Sequence, residues 1–234
     1  MPRVIKHPDI RRAELLDRAL ALFLRHGFEN VSLNDLIADA GVSKGAFYHW
    51  FQSKEALIVA LTDRIVRDQY VLTEAAIAHC SGNALDKLNT LLQCGFDAKV
   101  ATGTPEQLAA TVSLLRPENA HLYARIVALG DDLTRPLLTR LITDGVTEGT
   151  FDTFDPEGVA DMLQAFAART NTNLLRVADA PSEADRSHEI DVLTTRFRLH
   201  SLAIDRILGL PDGSVTILTR KQVETMAAAL PRDY

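Results

Sequence analysis

Hydrophobic side chains recur at the spacing of one helical face along almost the whole chain, and this periodicity restricts the possible folds more than any other feature. Strand signals are scarce, and one short run, residues 214–218, is rich enough in β-branched residues to be extended. The sequence therefore predicts an all-α protein. The apolar positions of its first helix are Ile10, Leu15, Leu16, Ala19, Leu20 and Phe23.

Glycine, proline and small polar residues divide this pattern into helices. The first should run from Pro8 or Asp9 to about Arg25, where His26 and Gly27 end it. Ser32 with Asp35 resembles a capping box at the start of the second, and Ser43 and Ser53 are suited to cap the third and fourth. The later helices are expected at about 54–78, 84–101, 105–115, 118–148 (strained at Pro136), 156–178, 183–208 and 219–229.

The charge is unevenly distributed, although the chain as a whole carries −6. Residues 1–60 have a net charge of +1 and the remainder −7. Within the first thirteen residues, four basic side chains face a single acidic one, Asp9. A basic arm before an acidic body suits a protein that meets DNA with one end only, and a solvated arm without a role is the alternative. The basic residues are Arg3, Lys6, Arg11 and Arg12.

Several classes of protein are disfavoured. Apolar runs are shorter than the roughly 18 residues that a membrane span needs, and the N-terminus carries charges where a signal peptide needs an apolar core, so we expect a cytoplasmic protein without membrane contact. No phosphate loop, nucleophile elbow, zinc motif or acid pair predicts an enzyme, a cofactor or a metal site. Cys80 and Cys94 are expected to be half-buried small side chains, with a redox-sensing pair as the alternative.

Residues 32–57 are the most informative segment. A helix-turn-helix needs a small residue where its two helices touch, a glycine in the turn and an apolar residue after it, and Ala40, Gly41 and Val42 meet these needs. The second of its helices lies in the major groove with its N-terminal residues aimed at base edges. In this chain that end is residues 43–46, which are small or flexible apart from Lys44.

The same segment closely resembles the DNA-binding domain of the tetracycline-repressor (TetR) family. The resemblance covers about residues 8–60, and the rest of the chain matches only in length and helical character. It implies a DNA-binding helix-turn-helix domain at 1–53 and a larger helical domain for effector binding and dimerisation at 54–234. The matching positions are Gly27, Phe28, Ala38, Ala40, Gly41, Val42, Ser43, Lys44, Gly45, Phe47, Tyr48, Phe51, Ser53, Lys54, Glu55 and Leu57.

The resemblance also implies roles for individual residues. Tyr48 and Lys54 would bind phosphates, Lys44 would contact a guanine, and Gly45 and Ala46 would face base edges. The other expected DNA contacts are Ser32, Asn34, Ser43, His49 and Trp50. Ile37 and Asn34 depart from the family, which usually has an alanine and often a basic residue there. Phe47 and Phe51, four residues apart, should be core, whereas Tyr48 and His49 lie off that face.

For the C-terminal part, the resemblance implies a homodimer in which helices 156–178 and 183–208 form a four-helix interface. Two apolar stripes support such a contact, and an ordinary intrachain core would explain them too. Polar candidates for an effector pocket are Gln93, Arg116, His121, Tyr123, Asn171 and Asn173, and each could equally be a surface or satisfied core residue. The stripes are Val159, Leu163, Phe166, Thr170, Leu174 and Val177, and Ile190, Leu193, Phe197, Ser201, Ile204 and Leu208.

The function expected from these features is a homodimeric transcriptional repressor that a small apolar or amphipathic ligand releases from double-stranded operator DNA. The alternative is a DNA-binding regulator that has no small-molecule ligand and is controlled by a protein partner or by cysteine oxidation. An enzyme is the third and least favoured reading. Neither the effector, nor the operator, nor the choice between repression and activation can be read from the residues.

Overall fold

The computed structural model describes residues 8–96 and 112–229. These residues form helices joined by short connections and contain no strand, which confirms the all-α prediction. A helical segment at 112–115 leads into a 3-10 turn, Pro117–Asn119. The helices are α1 (Pro8–His26), α2 (Leu33–Ala40), α3 (Lys44–Trp50), α4 (Lys54–His79), α5 (Ala84–Phe96), α6 (Ala120–Thr147), α7 (Pro156–Ala178), α8 (Glu183–Ile207) and α9 (Arg220–Ala229).

Helices α2, α3 and α4 begin where the sequence places serine caps. The hydroxyls of Ser32, Ser43 and Ser53 each accept a backbone N–H from the first turn of the helix that follows. Two glycines end helices in the left-handed conformation that side chains disfavour, Gly27 after α1 with φ 82° and Gly41 after α2 with φ 64°. Short-range chemistry therefore sets the first four helices.

The first hydrophobic core lies between α1, α2, α3 and the N-terminal half of α4. Phe23, Phe47 and Phe51 are almost completely buried in it, as predicted for Phe47 and Phe51 from their spacing. Leu57, Ile58 and Leu61 of α4 belong to the same core, so the first turns of this long helix pack with the residues before position 53. Leu122 of α6 reaches the core as well, which joins it to the rest of the chain.

Two further cores hold the C-terminal part together. One lies between α5, α6, α7 and the second half of α8, and the other lies where the C-terminal end of α7 and the middle of α8 meet α9. Arg186 is buried at the second of these and donates to the carbonyls of Val177 and Ala227. Its charge thus lies at the C-terminal ends of α7 and α9, where the helix dipoles favour a cation.

The run at 214–218, which could have been extended, is irregular in the structure. Side chains of neighbouring helices satisfy its backbone in place of a strand partner. The buried carboxylate of Asp205 accepts the N–H groups of Gly213 and Val215 at 2.7 and 2.8 Å. Asn89 accepts the N–H of Thr216 and donates to the carbonyl of Ser214. A β-rich composition does not make a strand where no other extended segment lies alongside.

The predicted helices agree with the structure to within one or two residues where both can be compared. The helix expected at 118–148 begins at Ala120, after the 3-10 turn, and continues through Pro136 as predicted. The ends predicted at 101 and 105 lie outside the described residues. Among the helices described, none is both long and apolar enough to span a membrane.

Candidate nucleic-acid interface and cavity

Helix α3 has one buried face and one exposed face. Phe47 and Phe51 are buried with their rings 5.9 Å apart, and Ser43, Lys44, Gly45, Ala46, Tyr48 and His49 are exposed. This division follows from the spacing of the two phenylalanines, which fixes the rotation of the helix about its axis. The structure therefore presents to solvent most of the α3 residues that were expected to contact DNA.

Lys44 and Tyr48 are neighbours on this exposed face. The ammonium group of Lys44 lies over the Tyr48 ring, 5.9 Å from its centre. Gly45, between them in sequence, has open space around it, since a Cβ added there would meet nothing within 4 Å. The N-terminal turn of α3 is therefore free to approach another molecule closely, with one cation and one hydroxyl beside it.

The remaining candidates differ in how much of them is accessible. Asn34, on α2, is exposed. Trp50 is half-buried against the first core and makes an edge-to-face contact with His49, with ring centres 5.2 Å apart. The packing of Trp50 leaves only part of its ring for a ligand, and its role in DNA contact stays a prediction.

The capping box at Ser32 is complete. Asp35 accepts the backbone N–H of Ser32 at 2.8 Å and the Ser32 hydroxyl at 2.6 Å, and its own N–H is bound by that hydroxyl. The hydrogen bonds from the side chain and then the backbone of Ser32 lower the pKa of Asp35. The Ser32 hydroxyl thus both accepts and donates within its own helix, so phosphate binding there would fall to free backbone N–H groups. The Ser43 hydroxyl only accepts the N–H of Ala46, and its own hydrogen can still be donated to a phosphate.

Lys54 is directed toward the protein. Its ammonium group donates to the Phe28 carbonyl at 2.5 Å and lies 4.0 Å from the centre of the Phe28 ring. Burial lowers the pKa of Lys54, against the opposing charges of Glu29 and Glu55. The sequence predicts only a contact between Lys54 and a DNA phosphate, and that contact stays a prediction. The structure adds a second role for Lys54, which is to fix the turn between α1 and α2.

The turn between α1 and α2 is also bound by the segment that precedes α6. Asn119, which is 1% exposed, accepts the backbone N–H of Phe28 at 2.8 Å and donates to the Ser113 carbonyl. Ser113 in turn donates to the carbonyl of Leu24, near the end of α1. We call this arrangement the junction: residues 113–121 on one side, and residues 24–30 with the start of α4 on the other.

His121 completes the junction. Its ring stacks on the Phe28 ring at 5.5 Å, and its Nε2 lies 3.6 Å from the Glu55 carboxylate. Gly27 makes the close approach possible, because a Cβ there would come within 2.6 Å of the Cβ of Glu118. Sequence reasoning placed His121 among pocket candidates and did not find Asn119, since nothing local distinguishes a buried asparagine from a surface one.

The other polar candidates for an effector pocket do not converge. Arg116 forms an ion pair with Asp179 at 2.8 Å, at the end of α7. Gln93 and Tyr123 are half-buried on α5 and α6, as is Asn173 on α7. The side chain of Asn171 lies outside the part of the chain that the structure describes. Their roles in ligand binding stay predictions.

A cavity of about 320 Å³ lies instead between α5, α6 and α7. Its lining is mostly apolar and includes neither Gln93, Arg116, His121 nor Tyr123. A glycine inside α6, Gly130, is the one local signal that could have indicated it, since glycine is unfavourable within a helix. The lining residues are Leu91, Leu92, Val127, Gly130, Asp131, Thr134, Leu138, Leu163, Gln164 and Ala167.

The two apolar stripes assigned to a dimer interface serve mainly the intrachain cores. Leu163, Leu193 and Ile204 are at most 5% exposed within one chain, and most of the other stripe residues are buried with them. The sequence pattern marks the inner faces of α7 and α8, because the side that faces the chain's own core carries the longest apolar run. Apolar side chains that do reach the surface of these helices are Met162 and Leu199.

A redox role for the two cysteines stays a prediction. Cys80 and Cys94 are half-buried and not joined by a disulfide. No group of three histidine, cysteine, aspartate or glutamate side chains within 8–96 and 112–229 could hold a metal ion.

A three-helix unit whose third helix, α3, follows a glycine turn and exposes one face, joined to a larger helical body, is the arrangement of a helix-turn-helix regulator. The family profile described as "Bacterial regulatory proteins, tetR family" matches residues 15–61. Residues 15–61 thus match the DNA-binding domain of the TetR family, in agreement with the resemblance seen in the sequence.

Two relatives and one solved structure illustrate the similarity. The regulator BetI of Agrobacterium fabrum is 34% identical over 110 residues, which are 47% of this chain and 52% of that protein. The repressor KstR2 of Mycobacterium tuberculosis is 32% identical over 101 residues, 42% of this chain and 48% of that one. The matched segments thus span about half the length of these relatives. Both are named as transcriptional regulators or repressors, which agrees with the expectation that the chain is not an enzyme.

Similarity of fold extends further along the chain. A crystal structure described as that of a transcriptional regulator from Pseudomonas aeruginosa covers 87% of this chain and 96% of its own, with a TM-score of 0.61 and 23% identity. At that identity the comparison supports the helical architecture of the C-terminal part and carries no information on its ligand.

Proposed function

We propose that the protein is a homodimeric transcriptional repressor that binds double-stranded operator DNA through α3 and is released by a small apolar or amphipathic ligand. The observation that carries the proposal is the exposed N-terminal turn of α3, with Lys44 and Tyr48 beside an unobstructed Gly45. A helix end of this kind fits the major groove, where a lysine can contact guanine acceptors. The domain division at residues 53 and 54 remains part of the proposal.

Dimerisation is part of this function, because a helix-turn-helix protein reads two half-sites about 34–36 Å apart. The outer surfaces of α7 and α8 support an interface, with Met162 and Leu199 each 42% exposed. Phe166 and His200 stack at 4.7 Å with nearly parallel rings on the same two helices. Burial, and then the charge of Arg196, lower the pKa of His200, which favours the neutral imidazole and is compatible with a contact between subunits.

Ligand control would act through the cavity between α5, α6 and α7 and through two connections to the DNA-binding end. Helix α4 passes from the first core into the C-terminal part. The junction at Asn119 and His121 joins the start of α6 to the turn before α2. A ligand that shifted α6 would bias the spacing of the two α3 helices, and DNA and ligand would each favour a different arrangement.

The test is selection of bound sequences from genomic fragments, followed by affinity measurements at several salt concentrations. Lys44→Ala should weaken specific binding by on the order of ten- to a hundredfold and relax specificity at one base position. Tyr48→Phe should weaken specific and non-specific binding about equally, because a phosphate contact carries no sequence information.

Lys221→Ala is the matched control, since this lysine is exposed on α9 and distant in sequence from α3. It removes the same charge and should leave affinity and specificity unchanged. Selection of no DNA sequence by the wild-type protein, or equal losses in the Lys44 and Lys221 variants, would overturn the assignment of α3.

A further inference from the structure

The cavity between α5, α6 and α7 has one ionisable side chain among its described lining residues, Asp131. The rest of that lining is apolar or neutral, with Thr134 and Gln164 as its other polar members. At about 320 Å³ the cavity is at the lower end of the roughly 300–1,000 Å³ range of small-molecule sites. Its shape and lining suit a single apolar group with one polar end.

The carboxylate of Asp131 has no hydrogen bond or ion pair with any residue in the described part of the chain. Arg135, one turn later on α6, is instead paired with Asp161 at 2.9 Å. Burial raises the pKa of Asp131, as does the neighbouring charge of Asp132, while Arg135 opposes them. Asp131 is half-buried and its oxygens are not among the buried atoms without a partner, so a ligand that covered them would have to supply a positive charge or a donor in place of water.

The surroundings of Asp131 are preorganised for such a ligand. Gln164 of α7 donates its amide to the backbone carbonyl of Asp131 at 2.9 Å, which holds α6 and α7 together at the cavity wall. Gly130 also lines the cavity, and a Cβ there would meet nothing within 4 Å. No lysine, arginine or histidine is among the described lining residues, so this part of the lining favours a cationic head group over an anionic one.

We propose that this cavity binds amphipathic cations, with the apolar body between α5, α6 and α7 and the cationic group at Asp131. Ligand binding at this cavity would have a regulatory meaning only if the proposed function holds, because the ligand would then be the effector of the repressor. Binding itself requires neither DNA nor a dimer, so it can be measured separately.

The test uses three probes of equal chain length, decylammonium, decanol and decanoate, titrated calorimetrically into the full-length protein at pH 7 below their aggregation concentrations. Decylammonium should bind more tightly than decanoate by at least about tenfold, the effect of one charged hydrogen bond. Asp131→Asn should remove this preference and leave decanol binding unchanged. Asp132→Asn is the matched control, since it removes the same charge from an exposed neighbour and should retain the preference.

Gly130→Leu places a side chain in the open space and should weaken all three probes, which would locate binding in the cavity. Equal or tighter binding of decanoate to the wild-type protein would overturn the proposal, as would an unchanged preference in Asp131→Asn. If decylammonium binds as expected but does not release operator DNA, the cavity assignment stands and the regulatory role fails. If no operator is found, only the proposed function fails.

Discussion

The side-chain carbonyl of Asn119 accepts the backbone N–H of Phe28 at 2.8 Å, between two residues 91 positions apart in the chain. The asparagine is 1% exposed, so this hydrogen bond is shielded from water. Its carboxamide also donates to the Ser113 carbonyl, and one side chain thus joins the start of α6 to the turn that precedes the helix-turn-helix.

Replacing Asn119 by alanine should destabilise the protein by about 1–3 kcal/mol, because the buried N–H of Phe28 would lose the side-chain carbonyl that accepts it. Urea unfolding followed by circular dichroism measures this difference. Asn34→Ala, at an exposed position on α2, is the control and should change stability by less than about 0.5 kcal/mol. Equal stability of the two variants would show that the junction contributes little to folding.

Gly45→Ala should separate stability from DNA binding. The added methyl group meets no protein atom within 4 Å, and alanine favours a helix over glycine by about 0.5–1 kcal/mol, so the variant should be at least as stable as the wild type. Operator affinity should nevertheless fall, since the methyl group lies on the end of α3 proposed to enter the groove. Thermal unfolding and fluorescence anisotropy with labelled operator give the two quantities. Unchanged affinity would mean that this turn does not approach the DNA closely.

Lys54 should make the protein more stable as the solution becomes alkaline. Burial lowers its pKa in the folded state, so the folded protein releases this proton at a lower pH than the unfolded chain, whose lysines titrate near about 10.4. The free energy of unfolding therefore increases as the pH rises from the pKa of Lys54 in the folded protein to its pKa in the unfolded chain. Urea unfolding across that interval should show a steeper rise for the wild type than for Lys54→Met. Nuclear magnetic resonance titration of the Lys54 side chain checks the pKa directly, and a value at or above 10.4 would contradict the burial argument.

Leu199→Glu should convert the proposed dimer to monomer. The leucine is 42% exposed on α8, and a symmetric interface would bury one copy from each subunit. The dissociation constant of the dimer should therefore rise by roughly a hundredfold or more. Sedimentation velocity over a range of concentrations measures the change. Leu72→Glu introduces the same charge at an exposed leucine of α4 and should leave the dimer intact. A Leu199 variant that stays dimeric would place the interface elsewhere.

The helix-turn-helix could be predicted closely because its determinants are local. The capping serines lie within three residues of the N–H groups that they bind, and Gly41 ends α2 through its own backbone conformation. The spacing of Phe47 and Phe51 also determines which face of α3 is exposed. Neither feature needs a distant part of the chain.

By itself, the sequence thus determined the positions of the helices and the exposed end of α3. Only the tertiary structure decided that the stripes on α7 and α8 face inward, that Lys54 binds the Phe28 carbonyl and that residues 214–218 stay irregular. The cavity at Asp131 and the junction at Asn119 were likewise decided only by the tertiary structure. The physical reason is that caps and helical periodicity depend on neighbours within one or two turns, whereas burial and hydrogen-bond partners depend on which distant segments the packed core brings together.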